Sequence, residues 1–189
     1  MKNYLTILLF LFTRSLLQAQ VSLIAVNKDN IDRNRIPYSG TRIMMADAVE
    51  TNGPARMYIF SKNEKGTDKD SLYAEEFLKE NDKWILQSKK DFCFPNEILM
   101  TWSNRKAFFD SDKDHYPESL FIFSKNAASN IDQQHAVILL LFHRKQFYTI
   151  EAKATDSYKK DYFSANFEQL PDSVKDRVLA YWQNLDKED

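Results

Sequence analysis

The sequence predicts an α+β fold, with an antiparallel sheet built from serial hairpins and closed by a C-terminal amphipathic helix. Three observations predict it. Short alternating or apolar runs recur along the chain, separated by turn residues, which is the signature of hairpin-linked strands. The run 135–142 is apolar on both faces, so it reads as a central strand covered on both sides. After Pro171 the period changes: Val174, Val178, Tyr181, Trp182 and Leu185 form one helical stripe.

The chain opens with Lys2, a short apolar core over 5–12 and the small residue Ala19. Residues 1–19 therefore read as a secretory signal peptide, too short for a stop-transfer span, with cleavage after Ala19 or Gln20. No cysteine follows the apolar run, so no lipoprotein anchor is expected. Export to the periplasm, the cell surface or the medium follows, with no stable membrane span once the signal is removed. Residues 20–189 are left as a single globular domain with no linker dividing it.

In order, 21–26 is a first strand, followed by a polar segment that Ile36-Pro37-Tyr38-Ser39-Gly40 ends as a turn. Segments 41–50 and 55–61 flank Asn52-Gly53, a strong hairpin signal. In the second arm, Met57 and Ile59 fall on one face and Tyr58 and Phe60 on the other. The charged stretch 62–70 reads as a surface loop. Segments 71–79 and 83–90 straddle Glu80-Asn81-Asp82 as a second hairpin, although the first arm tolerates helix as well. Pro95 then breaks the chain before 98–103. Strands 106–109 and 118–124 enclose an acidic loop, and 125–134 reads as a polar connection. His143-Arg144-Lys145 turns the central strand into 146–152 as a third hairpin. The terminal helix starts at Pro171-Asp172-Ser173, with Asp172 or Ser173 as its cap.

Composition excludes several functions. The formal net charge is −1, and loss of Lys2 and Arg14 with the signal makes it more negative, so nothing favours nucleic acid or an anionic membrane surface. The chain has three glycines, too few for a phosphate-cradling loop or a dinucleotide fingerprint. Cys93 is the single cysteine, so no intramolecular disulfide forms, and its apolar neighbours predict a small buried hydrophobe. His135 and His143 lie roughly 26 Å apart along one strand and do not share a metal. No paired-histidine zinc pattern or nucleophile elbow occurs. The aromatic load either fills a core or stacks on sugars. Trp84 and Trp182 sit in periodic apolar patterns and are expected in the core, while Trp102 fits either reading.

The acidic loop is where specific chemistry concentrates. Asp110, Asp112, Asp114 and Glu118 occupy positions 1, 3, 5 and 9, a spacing that gathers hard oxygen donors in one concave turn, as Ca²⁺ requires. Like charges packed together repel, so a counter-cation lowers the energy of a compact loop. Two features depart from a helix–loop–helix calcium loop: Phe121 stands at position 12 in place of a bidentate acid, and His115 at position 6 in place of glycine. The competing reading is a solvated acidic turn, stiffened by Pro117 and partly neutralised by Lys113.

Several stretches in order, the 57–60 strand, the Phe92-Cys93-Phe94-Pro95 break, the acidic loop, Leu120-Phe121-Ile122-Phe123 and Tyr181-Trp182, resemble a family of small exported proteins of Gram-negative bacteria named for surface polysaccharide biosynthesis. The resemblance spans roughly 40–185. That family's Asp-x-Asn/Asp-x-Asp-Gly-x-x-Glu loop maps onto Asp110, Asp112, Asp114 and Glu118, with His115 in the glycine position. It implies a cell-envelope setting and no catalytic residues. Two expectations follow. The first is an exported, non-catalytic accessory or binding protein, with an envelope protein or a glycan as partner and a Ca²⁺-stapled loop. The second is an envelope glycan-processing enzyme using the loop carboxylates.

Overall fold

The structure, a computed structural model, describes residues 21–63 and 70–187. The predicted signal peptide lies outside them, as does most of the charged 62–70 loop. Among the described residues ten strands run in chain order: β1 (Ser22–Ile24), β2 (Arg42–Glu50), β3 (Arg56–Lys62), β4 (Ser71–Glu80), β5 (Lys83–Cys93), β6 (Glu97–Phe109), β7 (Glu118–Ala127), β8 (Asn130–His143), β9 (Gln146–Lys153) and β10 (Asp161–Phe163). One α-helix, α1 (Asp172–Gln183), follows. The α+β class with serial antiparallel hairpins holds, and the hairpins divide into two five-stranded meanders, β1-β2-β3-β4-β5 and β10-β9-β8-β7-β6.

The division follows from which residues are apolar on each face. Tyr58, Phe60, Leu72, Ala74 and Phe92 of the first sheet pack on Phe121, Phe123, Ile138, Leu140 and Phe142 of the second. The opposite faces are covered too. Leu120, Ile122, Val137, Leu139 and Leu141 pack under Val174, Val178 and Trp182 of α1. On the other side, Ala48, Met57, Ile59 and Phe77 pack under Ile36 and the N-terminal segment. Segment, sheet, sheet and helix therefore stack as four layers. β8 lies in the middle of its sheet, and its 136–143 part is buried on both faces, as the unbroken apolar run predicts.

The inter-sheet layer is rich in aromatic rings, among them Tyr58, Phe60, Phe92, Phe121, Phe123 and Phe142. Phe60–Phe121, Phe92–Phe123 and Tyr58–Phe142 have ring centroids 4.7, 4.8 and 5.0 Å apart, all inclined. Such geometry adds about 0.5–1.5 kcal/mol per pair beyond area burial.

Several local expectations change. Segment 71–79 is strand throughout, because β4 is paired on both sides. The predicted polar connection over 125–134 is mostly strand: β7 runs to Ala127 and β8 starts at Asn130. Asn126 is held locally, accepting from the Ser124 hydroxyl (2.7 Å) and donating to the Ile131 carbonyl (2.8 Å), while Lys125 reaches Glu151 and Gln134 reaches Tyr158 and the Lys187 carbonyl. Segments 98–103 and 106–109 are one strand, β6, irregular between Thr101 and Lys106. Asn52-Gly53 lies in a longer connection, 51–55. The tight turns fall instead at Asn81-Asp82 (φ 47° and 62°) and Arg144-Lys145 (φ 48° and 65°), where both central residues are left-handed as twisted hairpins demand.

The helix is not capped by Asp172 or Ser173. Pro171 stands at the cap, its carbonyl accepting from Val174 and Lys175 (3.0 and 2.9 Å), and Asp172 lies in the first turn. Trp182 is buried as predicted, and its indole N–H donates to Asp161 at 2.8 Å. Trp102 is half-buried against the helix-side core. Trp84 is half-buried as well: on edge strand β5 it lines a groove of about 1180 Å³ against the N-terminal segment. Cys93 is exposed, not buried, because it alternates with Phe92, which takes the inward position on that edge strand.

Candidate functional site

The loop joining β6 to β7 is set by the pairs Phe109↔Glu118 and Phe108↔Ser119 at its base. Between them the chain turns through Lys113 (φ 60°) and His115 (φ 66°). The position where the calcium-loop pattern has glycine therefore keeps the left-handed backbone even with histidine there. Histidine is among the non-glycine residues that enter this region more readily than most.

The four predicted carboxylates converge. One ligand oxygen from each of Asp110, Asp112, Asp114 and Glu118 lies within 4.8 Å of the others. They are turned inward: the Asp110 and Glu118 side chains are wholly buried, and Asp112 and Asp114 are only 10% and 22% exposed. A solvated acidic turn does not describe this loop.

Backbone N–H groups satisfy much of the charge. Asp110 accepts from Asp114 N (3.1 Å) and His115 N (3.2 Å), and Asp114 accepts from Tyr116 N (2.7 Å). Glu118 Oε2 accepts from Ser111 N at 2.8 Å. These bonds curl the loop so that every acid faces its centre.

Two groups that the sequence reading did not place here complete the site. Arg144, at the β8–β9 turn, forks across two acids: Nε donates to Asp114 (2.6 Å) and Nη2 to Asp112 (3.0 Å). The counter-charge expected of Lys113 thus comes from Arg144. His143, buried at the end of β8, places Nδ1 3.1 Å from Glu118 Oε1, so it joins the acids and not His135. His135 pairs with Glu97 instead (3.0 Å). Asp112, Glu118 and His143 form a second group with ligand atoms close enough to share one ion.

The loop is also clamped to the opposite sheet. The Tyr116 hydroxyl donates to Glu76 at 2.6 Å, and its ring lies 3.6 Å beneath the Arg56 guanidinium. Glu76 is fully buried and also holds Arg56 (2.6 Å) and the Ser88 hydroxyl (2.8 Å). The Thr51 hydroxyl donates to the His115 carbonyl at 2.9 Å. The acidic loop therefore caps one end of the sandwich and ties its two sheets.

Burial and charge divide the acids. Burial, with Asp112's charge adding, pushes the Glu118 carboxyl up despite its His143 and Ser111 partners. Burial and the neighbouring Asp114 likewise push Asp112 up. For Asp114 burial acts in the same direction, but the Tyr116 N–H and Arg144 outweigh it and hold the group below its usual range.

Comparison with family models, with curated protein sequences and with solved structures returns no match to this chain.

Proposed function

We propose that the chain is an exported, non-catalytic binding protein of the bacterial cell envelope, linked to surface polysaccharide biosynthesis, whose 110–118 loop takes Ca²⁺. The observation that carries the metal reading is the 4.8 Å span of the four carboxylate oxygens. Oxygens held about 2.3–2.6 Å from one Ca²⁺ lie at most about 5 Å from each other, so the spacing of the acids suits one shared ion. Asp110, Asp112, Asp114 and Glu118 are its holders, and Arg144 swings out, since its guanidinium neutralises the same two acids. Phe121, at position 12, has no side-chain ligand atom, and its ring lies in the inter-sheet core.

The ion's task is structural: it would brace the cap that ties the two sheets. The envelope assignment rests on the signal-like residues 1–19 and on the resemblance drawn from the sequence. A glycan-processing role for the loop acids is disfavoured because both Glu118 oxygens are engaged and its side chain is wholly buried. For a partner glycan, the groove beside Trp84 offers an indole face with Arg35 and Glu50 at hand.

Thermal melts with and without millimolar CaCl₂ test the metal reading. Ca²⁺ at about 100 times its dissociation constant adds about 2.7 kcal/mol, several degrees in Tm for a domain of this size. Asp112→Asn should remove that rise. An unchanged melt at 5 mM Ca²⁺ would refute the proposal, as would an equal rise in the Asp112→Asn variant.

A further inference from the structure

We propose that the groove between the N-terminal segment and the first sheet binds an uncharged oligosaccharide stacked on Trp84. The inference rests on the binding-protein reading above, whose ligand class it names, and it does not depend on the metal. The groove holds about 1180 Å³, with buried Ala48 and Met57 at its base and Asn30, Arg35, Glu50, Asn81 and Trp84 along its walls. Sites for single small ligands run to about 300–1,000 Å³, so the space suits several linked sugar rings rather than one.

The N-terminal wall is ordered without a ligand. The Arg35 and Ile36 N–H groups both donate to the Asp32 carbonyl at 3.0 Å, and buried Ile36 pins that turn to the sheet. Arg33 Nη2 donates to the Tyr38 and Ser39 carbonyls (3.1 and 3.2 Å). Ser39 in turn donates its N–H and its hydroxyl to the buried Glu75 carboxylate (2.9 and 2.6 Å). A wall fixed in advance spares the complex the cost of ordering it.

The fold leaves the groove's polar groups unspent. Among the described residues the Arg35 guanidinium, the Glu50 carboxylate and the Trp84 indole N–H make no hydrogen bond or ion pair. Trp84 is half-buried, packed at the edge of the apolar cluster under the N-terminal segment.

That set selects the occupant. An indole is apolar on its face and donates at its edge, which matches the C–H face and hydroxyl rim of a pyranose. Amide, guanidinium and carboxylate groups each offer paired donors or acceptors in one plane, as neighbouring sugar hydroxyls require. Charge narrows the class. The lining sets Asp32, Glu50 and Asp82 against Arg35 and Lys79, and Lys79 is already paired with Asp82 at 3.3 Å. The balance is negative, so the groove repels a chain of uronic acids and accepts an uncharged one.

The intact protein, fluorescently labelled, is tested on an array of neutral, N-acetylamino and uronic-acid oligosaccharides about four to six rings long. Uncharged chains should bind, with a dissociation constant of about 1 mM or tighter when the best is titrated in solution. Uronic-acid chains should bind at least about tenfold more weakly. Trp84→Ala should weaken binding at least about tenfold. Arg35→Gln, at an exposed position, should weaken it with the melting curve unchanged. An array without uncharged hits, hits confined to acidic chains, or binding that survives both substitutions would overturn the proposal. Ca²⁺ melts on the same protein separate the two readings. A silent array beside an intact Ca²⁺ rise removes the groove inference alone. Array binding abolished by Trp84→Ala, beside a melt that Ca²⁺ does not move, removes the loop reading alone.

Discussion

The clamp between Tyr116 and Glu76 gives the sharpest test of how the acidic loop is held. In Tyr116→Phe the ring still lies under Arg56, and only the hydroxyl is lost. That hydroxyl donates to a buried carboxylate at 2.6 Å and accepts from Lys145 N at 3.1 Å. A hydrogen bond to a charged group is worth about 1.5–3 kcal/mol. Glu76 keeps Arg56 and Ser88, so the cost belongs at the lower end, about 1.5–2 kcal/mol, or roughly 3–8 °C in Tm at this chain length. Glu76→Ala should cost more, about 3–5 kcal/mol, because it strands the Arg56 charge, whose side chain is 11% exposed. The double variant is the decisive measurement. Once Glu76 is gone the Tyr116 hydroxyl has lost its acceptor, so the two costs should fall short of their sum by about 1 kcal/mol or more. Urea unfolding of the four proteins reads this directly. Additivity within about 0.5 kcal/mol would show that the two groups do not interact and that the loop is not tied to the first sheet through them.

Two further predictions concern the turn before β2 and the pH response of the loop. A Cβ on Gly40 would lie 2.6 Å from both the N and O of Lys62, so Gly40→Ala should cost about 1–3 kcal/mol or more in chemical denaturation, since backbone on both sides must shift. The acids of the loop should respond to pH with opposite signs. Asp114 is held below its usual value, so its stabilisation is present above its unfolded pKa and is lost as pH falls through its lower folded pKa. The penalty of Asp114→Asn should therefore be full at pH 7 and fade in strong acid. Glu118 is pushed up, so its contribution is greatest below its unfolded pKa and shrinks as pH rises through its folded pKa. Unfolding measured from pH 3 to pH 8 should then show Glu118→Gln gaining on the parent protein as pH rises, and a constant difference would contradict the raised pKa.

The sequence was most legible where one local signal decided the outcome. The alternation of Met57 and Ile59 against Tyr58 and Phe60 predicts their faces, and the structure places the first pair under the N-terminal segment and the second between the sheets. The unbroken run of β8 predicts a strand buried on both sides, and the stripe of Val174, Val178 and Trp182 predicts the helix face. The spacing of Asp110, Asp112, Asp114 and Glu118 predicts that their carboxylates converge. Those inferences need only the period of a strand or helix and the reach of a short loop. Cys93 and Trp84 misled because their apolar neighbours lie on the opposite face of an edge strand or under a thin cover, which periodicity does not report.

What only the tertiary structure decided is everything that crosses between elements. That the hairpins form two stacked sheets rather than one depends on where β5 hands over to β6, and no residue near Pro95 encodes the pairing of Phe92 with Phe123. The loop's counter-charge sits 30 and 32 positions along the chain in Arg144, its buried histidine 25 positions away in His143, and its anchor 40 positions back in Glu76. Local sequence determined that four acids would meet, because spacing alone brings them together. Long-range packing determined what they meet, because a folded chain neutralises buried charge with whichever cation or donor its topology delivers.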